Sequence, residues 1–246
     1  MPVPAHPSWL SRLATSGASA RWPNRCAVCH AHTQGRDARV CRECVARFAS
    51  PRLRCPRCAL ALGSAAACGA CLRNPPPWLH AVTACDYGYP WDGLLVALKF
   101  HDALDLAPTL AMQLAEQVRK AGVSAVDAVL PVPLSAARLR ERGYNQAALL
   151  ARALAARLGT SFQPAWLLRL RDTPHQIALP RERRATNVRG AFAAEPLALA
   201  ALRGRRIALV DDVMTTGSTL DEASRVLLAA GAAEVQVWVV ARTPED

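Results

Sequence analysis

Two adjacent aspartates and the hydroxyl-rich loop after them form the part of the sequence best suited to hold a polar ligand. The stretch IALVDDVMTTGSTL places Asp211 and Asp212 directly after a short apolar run. Carboxylates can accept hydrogen bonds from the vicinal hydroxyls of a sugar. Threonine and serine hydroxyls, with a glycine between them, can surround a phosphate. These residue types therefore favour a sugar-phosphate ligand.

The neighbouring elements predict where this stretch lies in the fold. Residues 207–210 form a continuous apolar run, typical of a strand buried on both faces. Residues 218–230 carry apolar side chains at helical spacing, and Gly231 ends that pattern. We expect Asp211 and Asp212 at the carboxyl end of a parallel strand, and the loop at a helix N-terminus. Open α/β sheets bind ligands at this edge, and helix N-termini bind phosphates.

Four Cys-x-x-Cys pairs indicate a second kind of chemistry. The pairs are Cys26 and Cys29, Cys41 and Cys44, Cys55 and Cys58, and Cys68 and Cys71. Each pair turns the chain so that two thiolates face one point, and two pairs complete a tetrahedral structural zinc site. We expect two Zn²⁺ ions per chain rather than disulfides, and spacing alone permits sequential or interleaved pairing. A segment this short and polar needs the metal to fold.

The positive charge is concentrated in the first third of the chain. The 246 residues carry a net charge of +11, of which residues 1–75 contribute +9 through 11 arginines and two acids. Eight thiolates on two Zn²⁺ ions would leave that segment basic. Arginine suits planar contacts with phosphates, although a solvated basic surface has the same composition. Arg52, Arg54 and Arg57 lie between the two expected ribbons, and we expect them to form a strip that contacts single-stranded DNA.

The sequence lacks the patterns of membrane insertion and secretion. No apolar run reaches the length of about 18 residues that a spanning helix needs. The start, MPVPAHPSWL, lacks a basic segment followed by an apolar block. We therefore expect a cytoplasmic protein without membrane insertion, in which cysteines bind metal. Cys85 stands outside the pairs and is expected to be a buried residue of a strand.

The rest of the chain alternates between strand and helix patterns, with two of the helices expected to end at Gly122 and Gly159. This alternation predicts a mainly parallel α/β sheet with helices on both faces. The proline-rich sequence RNPPPWLH marks a stiff connector before it. We expect the connector to separate the cores of two domains. The expected organisation is an N-terminal tail at 1–24, a double zinc-ribbon module at 25–73, a linker at 74–79 and the sheet domain at 80–246.

Two further basic clusters are candidates for contacts with a polyphosphate. VLPVPLSAARLRERGYNQ ends a predicted strand in prolines and continues into arginines, as an anion-binding loop or as a capped, exposed helix turn would. HQIALPRERRATNVRGAF has the composition of a loop that closes over a ligand, or of a solvated face. Lys99 and His101 follow an amphipathic helix, and we assign His101 no chemistry.

Together these motifs resemble the ComF family over about residues 25–242. VDDVMTTGST resembles the phosphoribosyl pyrophosphate (PRPP) signature of type I phosphoribosyltransferases. The cysteine pairs, YPWDGLLVALKFH, LPVPLSAARLRERGYNQA and QIALPRERRATNVRGAF complete the family pattern in the same order. The resemblance implies an open sheet of the type I phosphoribosyltransferase type behind a small zinc-ribbon module. It also implies a link to DNA uptake, with single-stranded DNA and a helicase-like competence protein as partners.

The resemblance implies roles for individual residues. Asp211 and Asp212 would hold the ribose hydroxyls and stabilise the positive charge that develops when pyrophosphate leaves. The 5′-phosphate would be surrounded by Thr215, Thr216, Gly217, Ser218 and Thr219. The pyrophosphate would be held with Mg²⁺ by Pro131, Val132, Pro133, Leu134, Ser135, Arg142 and Arg184.

The expected function is therefore Mg²⁺-dependent phosphoribosyl transfer from PRPP to an unknown acceptor, linked to DNA uptake or nucleic-acid metabolism. No general base and no hood for recognising a nucleobase is identifiable, which argues against ordinary nucleobase salvage. The alternative is an adaptor that binds a sugar phosphate or single-stranded DNA without catalysis. A nucleoside triphosphatase is excluded because the Gly-x-x-x-x-Gly-Lys-Ser/Thr motif is absent.

Overall fold

The computed structural model describes residues 24–33, 38–63, 66–172 and 188–244. Two short helices belong to the cysteine-rich part: α1 (Arg42–Phe48) and α2 (Gly69–Arg73). Each begins directly after the third cysteine of a group of four, with Cys41 and Cys68 at the N-cap positions. The Cys41 side chain accepts a hydrogen bond from the Cys44 backbone N–H at 3.4 Å, which fixes the first turn of α1.

A five-stranded parallel sheet forms the centre of the remaining chain. Its strands are β1 (His80–Asp86), β2 (Ala128–Pro131), β3 (Ser161–Phe162), β6 (Arg206–Met214) and β7 (Glu234–Arg242), in the order β1-β7-β6-β2-β3. Every pair within this sheet is parallel. The short strands β4 (Leu167–Arg169) and β5 (Phe192–Ala194) pair antiparallel beside it. The predicted mainly parallel α/β architecture is confirmed.

Helices connect the strands of the sheet. They are α3 (Trp91–Phe100), α4 (Leu106–Ala121), α5 (Ala136–Arg142), α6 (Gln146–Leu158), α7 (Leu199–Leu202) and α8 (Ser218–Ala229). Gly122 and Gly159 end α4 and α6 in the left-handed conformation, with φ of 60° and 66°, as the sequence predicted. Within the described ranges, every helix is too short or too polar to cross a bilayer.

The sheet is covered on both faces because alternate residues of a strand point to opposite sides. Ala208 and Val210 of β6 pack in one cluster with α3, α4 and α6, while Ile207 and Leu209 pack in the other with α8. Cys85 is buried in the first cluster, as predicted, with 3% of its surface exposed.

The expectation that the cysteine-rich part has a separate core is wrong. Cys26, Cys41 and Cys44 lie in the same apolar cluster as the side chains under α3 and α4. The indole N–H of Trp91 donates to the Phe48 carbonyl at 2.8 Å, which ties α1 to α3. The ribbons contain few large apolar side chains, so they bury their inner faces against the sheet layer instead of against each other. The boundaries at residues 73 and 80 stay a prediction.

Two local elements differ from the sequence prediction. Strand β6 continues through Asp211 and Asp212 to Met214, because its pairing with β7 persists to that residue. The segment after Ser135 forms helix α5, whose first turn is capped by the Ser135 hydroxyl accepting from the Arg138 N–H at 3.3 Å. This basic segment therefore contains a capped helix, and its binding of an anion stays a prediction.

Candidate functional site

The eight paired cysteines form two groups of four. The first zinc cluster comprises Cys26, Cys29, Cys41 and Cys44, and the second comprises Cys55, Cys58, Cys68 and Cys71. Within each cluster the sulfur atoms all lie within 4.8 Å of one another. Pairing therefore follows sequence order, and the interleaved alternative is wrong.

Backbone N–H groups stabilise thiolates in both clusters. Cys26 Sγ accepts hydrogen bonds from the N–H groups of Cys41 at 3.3 Å and Val28 at 3.4 Å, and Cys55 Sγ accepts from Cys68 N–H at 3.3 Å. Burial opposes ionisation of these thiols, but the N–H donors outweigh it and lower the pKa of Cys26 to about 6 and that of Cys55 to about 7. Four sulfurs at this separation, of which one in each cluster has a lowered pKa, fit a structural zinc site.

The acidic pair lies where β6 is flanked by β2 and β7. Asp211 is half-buried, and Asp212 retains 4% of its surface exposed. One carboxylate oxygen of Asp212 accepts from the Val213 N–H at 3.0 Å, and the other lies 2.5 Å from Lys99 Nζ. The Asp211 carboxylate accepts from the Asp212 N–H at 2.9 Å. Both side chains are thus held at the edge of the sheet that was predicted to bind the ligand.

The pKa values of the two carboxyl groups are shifted in opposite directions. Burial and the neighbouring Asp212 charge raise the pKa of Asp211 well above its ordinary value. Burial also opposes the charged form of Asp212, but the Lys99 ammonium outweighs it and lowers the pKa of that carboxyl. Asp212 is therefore the carboxylate that stays ionised, while Asp211 accepts a proton more readily.

The loop Thr215–Thr219, which we call the phosphate loop, closes the end of β6. A small cavity of about 30 Å³ is lined by Asp211 and by Thr215, Gly217, Ser218 and Thr219 of the loop. Gly217 precedes α8 with φ of 81°, a backbone conformation that favours glycine. Thr216 lies on the opposite side, where its hydroxyl is 2.9 Å from the Ser218 hydroxyl and lines a larger groove. The structure therefore brings Asp211 and four residues of the loop together around one small cavity at the end of β6.

The segment predicted to hold the pyrophosphate, Pro131–Ser135, lies next to the acidic pair. Pro131 pairs with Val210, so Val132, Pro133 and Leu134 continue past the sheet edge beside Asp211. Ser135 is 2% exposed, and its hydroxyl donates to Asp172 at 2.7 Å while accepting from the Arg138 N–H that it caps.

Arg142 lies further along, over the ring of Phe100 with 5.0 Å between the guanidinium carbon and the ring centroid. Arg142, Arg138 and Lys99 line one cavity of about 290 Å³. The cavity therefore places Arg142 near the lysine that pairs with Asp212. Arg184 lies outside the described residues, as do Arg181, Arg183 and Asn187.

Two cations near the acidic pair were missed by the sequence analysis. Lys99 received no role, although it is one of only two lysines in an arginine-rich chain, which is the signal that could have identified it. Arg169 at the end of β4 is the other. Burial and the nearby charge of Arg138 lower the pKa of its guanidinium, and the charge of Asp211 opposes that shift. The Arg169 guanidinium lies over the ring of Phe192, with 5.4 Å between its carbon and the ring centroid.

The expected basic strip for DNA is contradicted for two of its three arginines. Arg54 is 16% exposed in its side chain and donates to Asp86 at 2.6 Å and to the Ala59 carbonyl at 3.0 Å. Arg57 donates to the Pro76 carbonyl at 2.7 Å. Arg52 alone of the three has a mainly exposed side chain, at 61%. Arg54 thus joins the second ribbon to β1, and Arg57 joins it to the linker at Pro76. A small ribbon without a large apolar face needs such polar contacts to dock.

Sequence comparison finds both parts of this architecture in known families. The phosphoribosyl transferase domain family matches residues 144–246, and the double zinc ribbon domain family matches residues 19–72. The DNA utilization protein YhgH of Salmonella typhi is 35% identical over 226 residues, covering 90% of this chain and 98% of that relative. Competence protein F of Haemophilus influenzae is 38% identical over 183 residues, covering 71% of this chain and 78% of that relative.

Among solved structures, the B. subtilis glutamine PRPP amidotransferase complexed with ADP and GMP is 23% identical and covers 53% of this chain and 25% of its own, with a TM-score of 0.36. The matches to YhgH and to competence protein F cover a larger share of this chain, and of each relative, than the match to the amidotransferase does. Their identity exceeds one third over most of the sequence, and the two domain families match in the same order as the two parts of the fold. The chain therefore belongs to the ComF family, in which a double zinc ribbon precedes a phosphoribosyltransferase-type domain.

Proposed function

We propose that the chain binds PRPP at the acidic pair and the phosphate loop and transfers its phosphoribosyl group to an acceptor. The observation that carries the proposal is the cavity shared by Asp211 and the phosphate loop at the end of β6. A ribose placed with its hydroxyls on the carboxylates would present its 5′-phosphate to the loop and to the N-terminus of α8. The site residues remain those that the sequence predicted, with Lys99 added.

In this reaction the bond between ribose C1 and the pyrophosphate oxygen breaks, and its electron pair leaves with pyrophosphate. The acceptor supplies the pair that forms the new bond to C1, and its proton passes to water. Positive charge develops on the ribose between these events. The ionised Asp212 carboxylate, held in place by Lys99, would stabilise that charge because it lies in a buried site where electrostatic interactions are strong.

The pyrophosphate would lie toward Pro131–Ser135 and the basic cavity that Arg138 and Arg142 line. Guanidinium groups suit this role because they bind phosphate oxygens in a planar, bidentate manner. Mg²⁺ bound to the pyrophosphate would supply counter-charge, and a carboxylate such as Asp211 is a ligand type that suits it.

The experiment is calorimetry of the zinc-loaded protein with PRPP and Mg²⁺, followed by measurement of pyrophosphate release across a panel of acceptors. Binding with acceptor-dependent release supports transfer. Binding with no release for any acceptor supports the non-catalytic adaptor instead. Absence of PRPP binding would refute the sugar-phosphate assignment of VDDVMTTGST.

A role in DNA handling is the second part of the proposal, and it rests on the relatives named for DNA utilization and competence. For single-stranded DNA, the logarithm of the binding constant should fall with the logarithm of the salt concentration, with a slope of about −0.7 for each phosphate contacted. Arg52→Ala removes the one arginine of the predicted strip whose side chain is mainly exposed, and the salt slope is measured for this variant. Arg54 and Arg57, which hold the ribbon in place, are left unchanged. An unchanged slope in this variant would place the DNA contact elsewhere. The helicase-like partner and the cytoplasmic location stay predictions.

A further inference from the structure

The second zinc cluster lies beside the phosphate loop, whereas the first lies beside α3 and α4. A groove of about 410 Å³ has Cys58, Cys68 and Cys71 on one wall and Thr216 and Ser218 on the other. Two buried side chains, Arg242 and Trp78, cross between these walls. Their contacts link the metal ligands to the backbone that precedes and forms the loop.

Arg242 joins the zinc knuckle to the start of the loop. This residue ends β7 and is 5% exposed. Its Nε donates to the carbonyl of Cys58 at 2.9 Å, and its Nη1 lies 3.4 Å from the carbonyl of Met214. Met214 directly precedes the phosphate loop, and Cys58 is a ligand of the second cluster. One guanidinium therefore connects a zinc ligand to the residue that directly precedes the loop.

Trp78 makes the second connection. It is 3% exposed, and its indole N–H donates to the carbonyl of Arg57 at 2.5 Å. The far edge of the same ring faces Gly217, where a Cβ atom would lie 3.2 Å from Trp78 Cη2. Trp78 is thus held at one end by the zinc knuckle and packs at the other against the glycine of the phosphate loop.

Both acceptor carbonyls belong to the Cys55-x-x-Cys58 turn, whose shape depends on the metal. Binding of Cys55 and Cys58 to one ion fixes the backbone of Arg57 between them. The turn is completed by Ala59, which has φ of 57° and donates from its N–H to the Cys55 carbonyl at 2.9 Å. A non-glycine residue in that conformation is costly, so the turn relaxes when the metal that supports it is lost.

The first cluster has the same local turn but different neighbours. His30 corresponds to Ala59, with φ of 62°, and its N–H donates to the Cys26 carbonyl at 2.9 Å. Its surroundings contact α4 through the Arg39 N–H, which donates to Thr109 Oγ1 at 2.8 Å. The chain therefore contains two similar zinc turns, of which the second contacts the side chains that reach the phosphate loop.

We propose that the second zinc cluster positions the phosphate loop through Arg242 and Trp78, so that the metal state of this cluster sets affinity for a phosphate ligand. The proposal rests on the proposed function for the identity of that ligand. Zinc in the second cluster then has two roles, one in folding the ribbon and one in holding the loop that binds the 5′-phosphate. Zinc in the first cluster has the folding role.

The test compares loss of one ligand from each cluster. Cys71→Ser removes a ligand from the second cluster and Cys29→Ser removes one from the first, and zinc content is measured for both. PRPP affinity with Mg²⁺ should fall roughly five- to tenfold in Cys71→Ser, the effect of losing one or two neutral hydrogen bonds that hold the loop. Cys29→Ser should bind PRPP within about twofold of the parent chain. Equal weakening in both variants would overturn the proposal.

A second pair of variants keeps both zinc ions. Arg242→Lys retains the positive charge but loses the guanidinium that spans Cys58 and Met214, and Trp78→Phe loses the indole N–H but keeps a ring beside Gly217. Arg206→Lys, at the opposite end of the sheet, is the matched control for the arginine change. We expect weaker PRPP binding in Arg242→Lys and Trp78→Phe, and unchanged PRPP affinity in the control Arg206→Lys. Unchanged affinity in Arg242→Lys and Trp78→Phe at full zinc content would contradict the connection.

Hydrogen exchange of the loop amides separates this inference from the proposed function. Without any ligand, amides of Thr215–Thr219 should exchange faster in Cys71→Ser and Arg242→Lys than in Cys29→Ser and Arg206→Lys. If the parent chain does not bind PRPP, the proposed function fails and the exchange rates still decide the connection. If Cys71→Ser does not fold, the Arg242→Lys comparison decides it. Equal exchange in the loops of Arg242→Lys and Arg206→Lys would refute positioning by the zinc cluster.

Discussion

Lys99 Nζ lies 2.5 Å from a carboxylate oxygen of Asp212, and this ion pair joins the last turn of α3 to the strand that carries the acidic pair. The Lys99 side chain is 24% exposed and that of Asp212 is 5% exposed. Burial opposes the charge on Lys99, but the carboxylates of Asp212 and Asp211 outweigh it and raise the pKa of the ammonium. The pair therefore keeps a negative charge ionised where the proposed reaction develops a positive one.

Breaking this pair should destabilise the fold. Lys99→Met leaves Asp212 buried without its partner, so we expect the free energy of unfolding to fall by about 3 kcal/mol at pH 7. The double variant Lys99→Met with Asp212→Asn should recover most of that loss, because no uncompensated charge remains. Urea denaturation measures both. Lys120→Met is the matched control, since Lys120 pairs with Glu116 on the surface and its loss should cost less than about 1 kcal/mol.

The same pair predicts a pH dependence. A carboxyl whose pKa is lowered in the folded state contributes stability above its unfolded pKa of about 3.9, and that contribution disappears as the pH falls toward the lowered value. In Lys99→Met, burial acts on Asp212 without the opposing ammonium and raises the pKa of that carboxyl in the folded state. The difference in stability between the parent chain and Lys99→Met should therefore be largest at pH 7, shrink as the pH falls toward about 4, and shrink further below that pH. A difference that stays constant down to pH 3 would show that packing of the lysine side chain, rather than its charge, causes the loss.

The charge on Asp211 should lower stability at neutral pH, whereas the charge on Asp212 raises it. Burial and the Asp212 charge raise its pKa in the folded state, so its ionisation costs stability as the pH rises above about 3.9 toward the raised value. Asp211→Asn removes this cost, and we expect the Tm at pH 7 to rise by about 2–4 °C, the effect of 1 kcal/mol in a chain of this size. The gain should vanish near pH 4. A lower Tm at pH 7 would mean that the hydrogen bond from Asp212 N–H outweighs the cost of the charge.

The sequence predicted the elements with strong local patterns. The helices ended by Gly122 and Gly159 and the buried run at 207–210 follow from spacing and from turn residues. Both zinc clusters follow from the Cys-x-x-Cys pairs, whose geometry is local. Each of these predictions needed only residues that are near one another in the chain.

Contacts between distant segments were not predictable in the same way. Lys99 and Asp212 are separated by 113 positions in the chain, and nothing in either local pattern pairs them. Arg54 and Arg57 look solvated in the sequence, but their partners are Asp86 and the Pro76 carbonyl, which only the docking of the ribbon brings near. The shared core of ribbon and sheet was missed for the same reason, because the proline-rich segment 74–79 was interpreted as a spacer.

That shared core changes what loss of zinc should do. Cys41 lies in the cluster that includes the residues under α4, so Cys41→Ser should destabilise the sheet as well as the first ribbon. We expect one cooperative melt at a Tm lowered by at least about 5 °C, since loss of a structural metal removes several kcal/mol of folding free energy. Calorimetry with zinc analysis measures this, and the parent chain should contain two zinc ions. Two separate transitions, with the sheet melting at its original temperature, would show that the ribbon unfolds independently.

The phosphate loop should tolerate no side chain at Gly217. Its φ of 81° disfavours other residues, and a Cβ atom there would lie 3.2 Å from Trp78. We expect Gly217→Ala to weaken PRPP binding at least about tenfold, because the loop must move away from the position in which its backbone approaches the phosphate. Gly143→Ala is a control with a similar φ of 80° and no atom within 4 Å of the added Cβ. If both variants bind PRPP equally well, the loop does not contact the phosphate.

The acidic pair distinguishes catalysis from binding most sharply. Asp211→Asn and Asp212→Asn keep the size and most of the hydrogen-bonding capacity of each side chain but remove its charge. A site that only holds ribose hydroxyls should lose affinity by about 1 kcal/mol for each hydrogen bond weakened. A site that also stabilises a positively charged transition state should lose much more in turnover, because that interaction strengthens as charge develops.

We therefore expect pyrophosphate release to fall at least about 100-fold in Asp212→Asn, while calorimetry shows PRPP affinity within about tenfold of the parent chain. Asp212 should have the larger effect of the two, since Lys99 keeps it ionised, whereas the raised pKa of Asp211 lets that carboxyl accept a proton. Thr216→Ala is the comparison variant, because the Thr216 hydroxyl lies 2.9 Å from that of Ser218 at the start of α8. Loss of this contact loosens the loop proposed to bind the phosphate, so it should change affinity rather than turnover. Equal losses of affinity and turnover in Asp212→Asn would show that this carboxylate holds the ribose without stabilising the transition state.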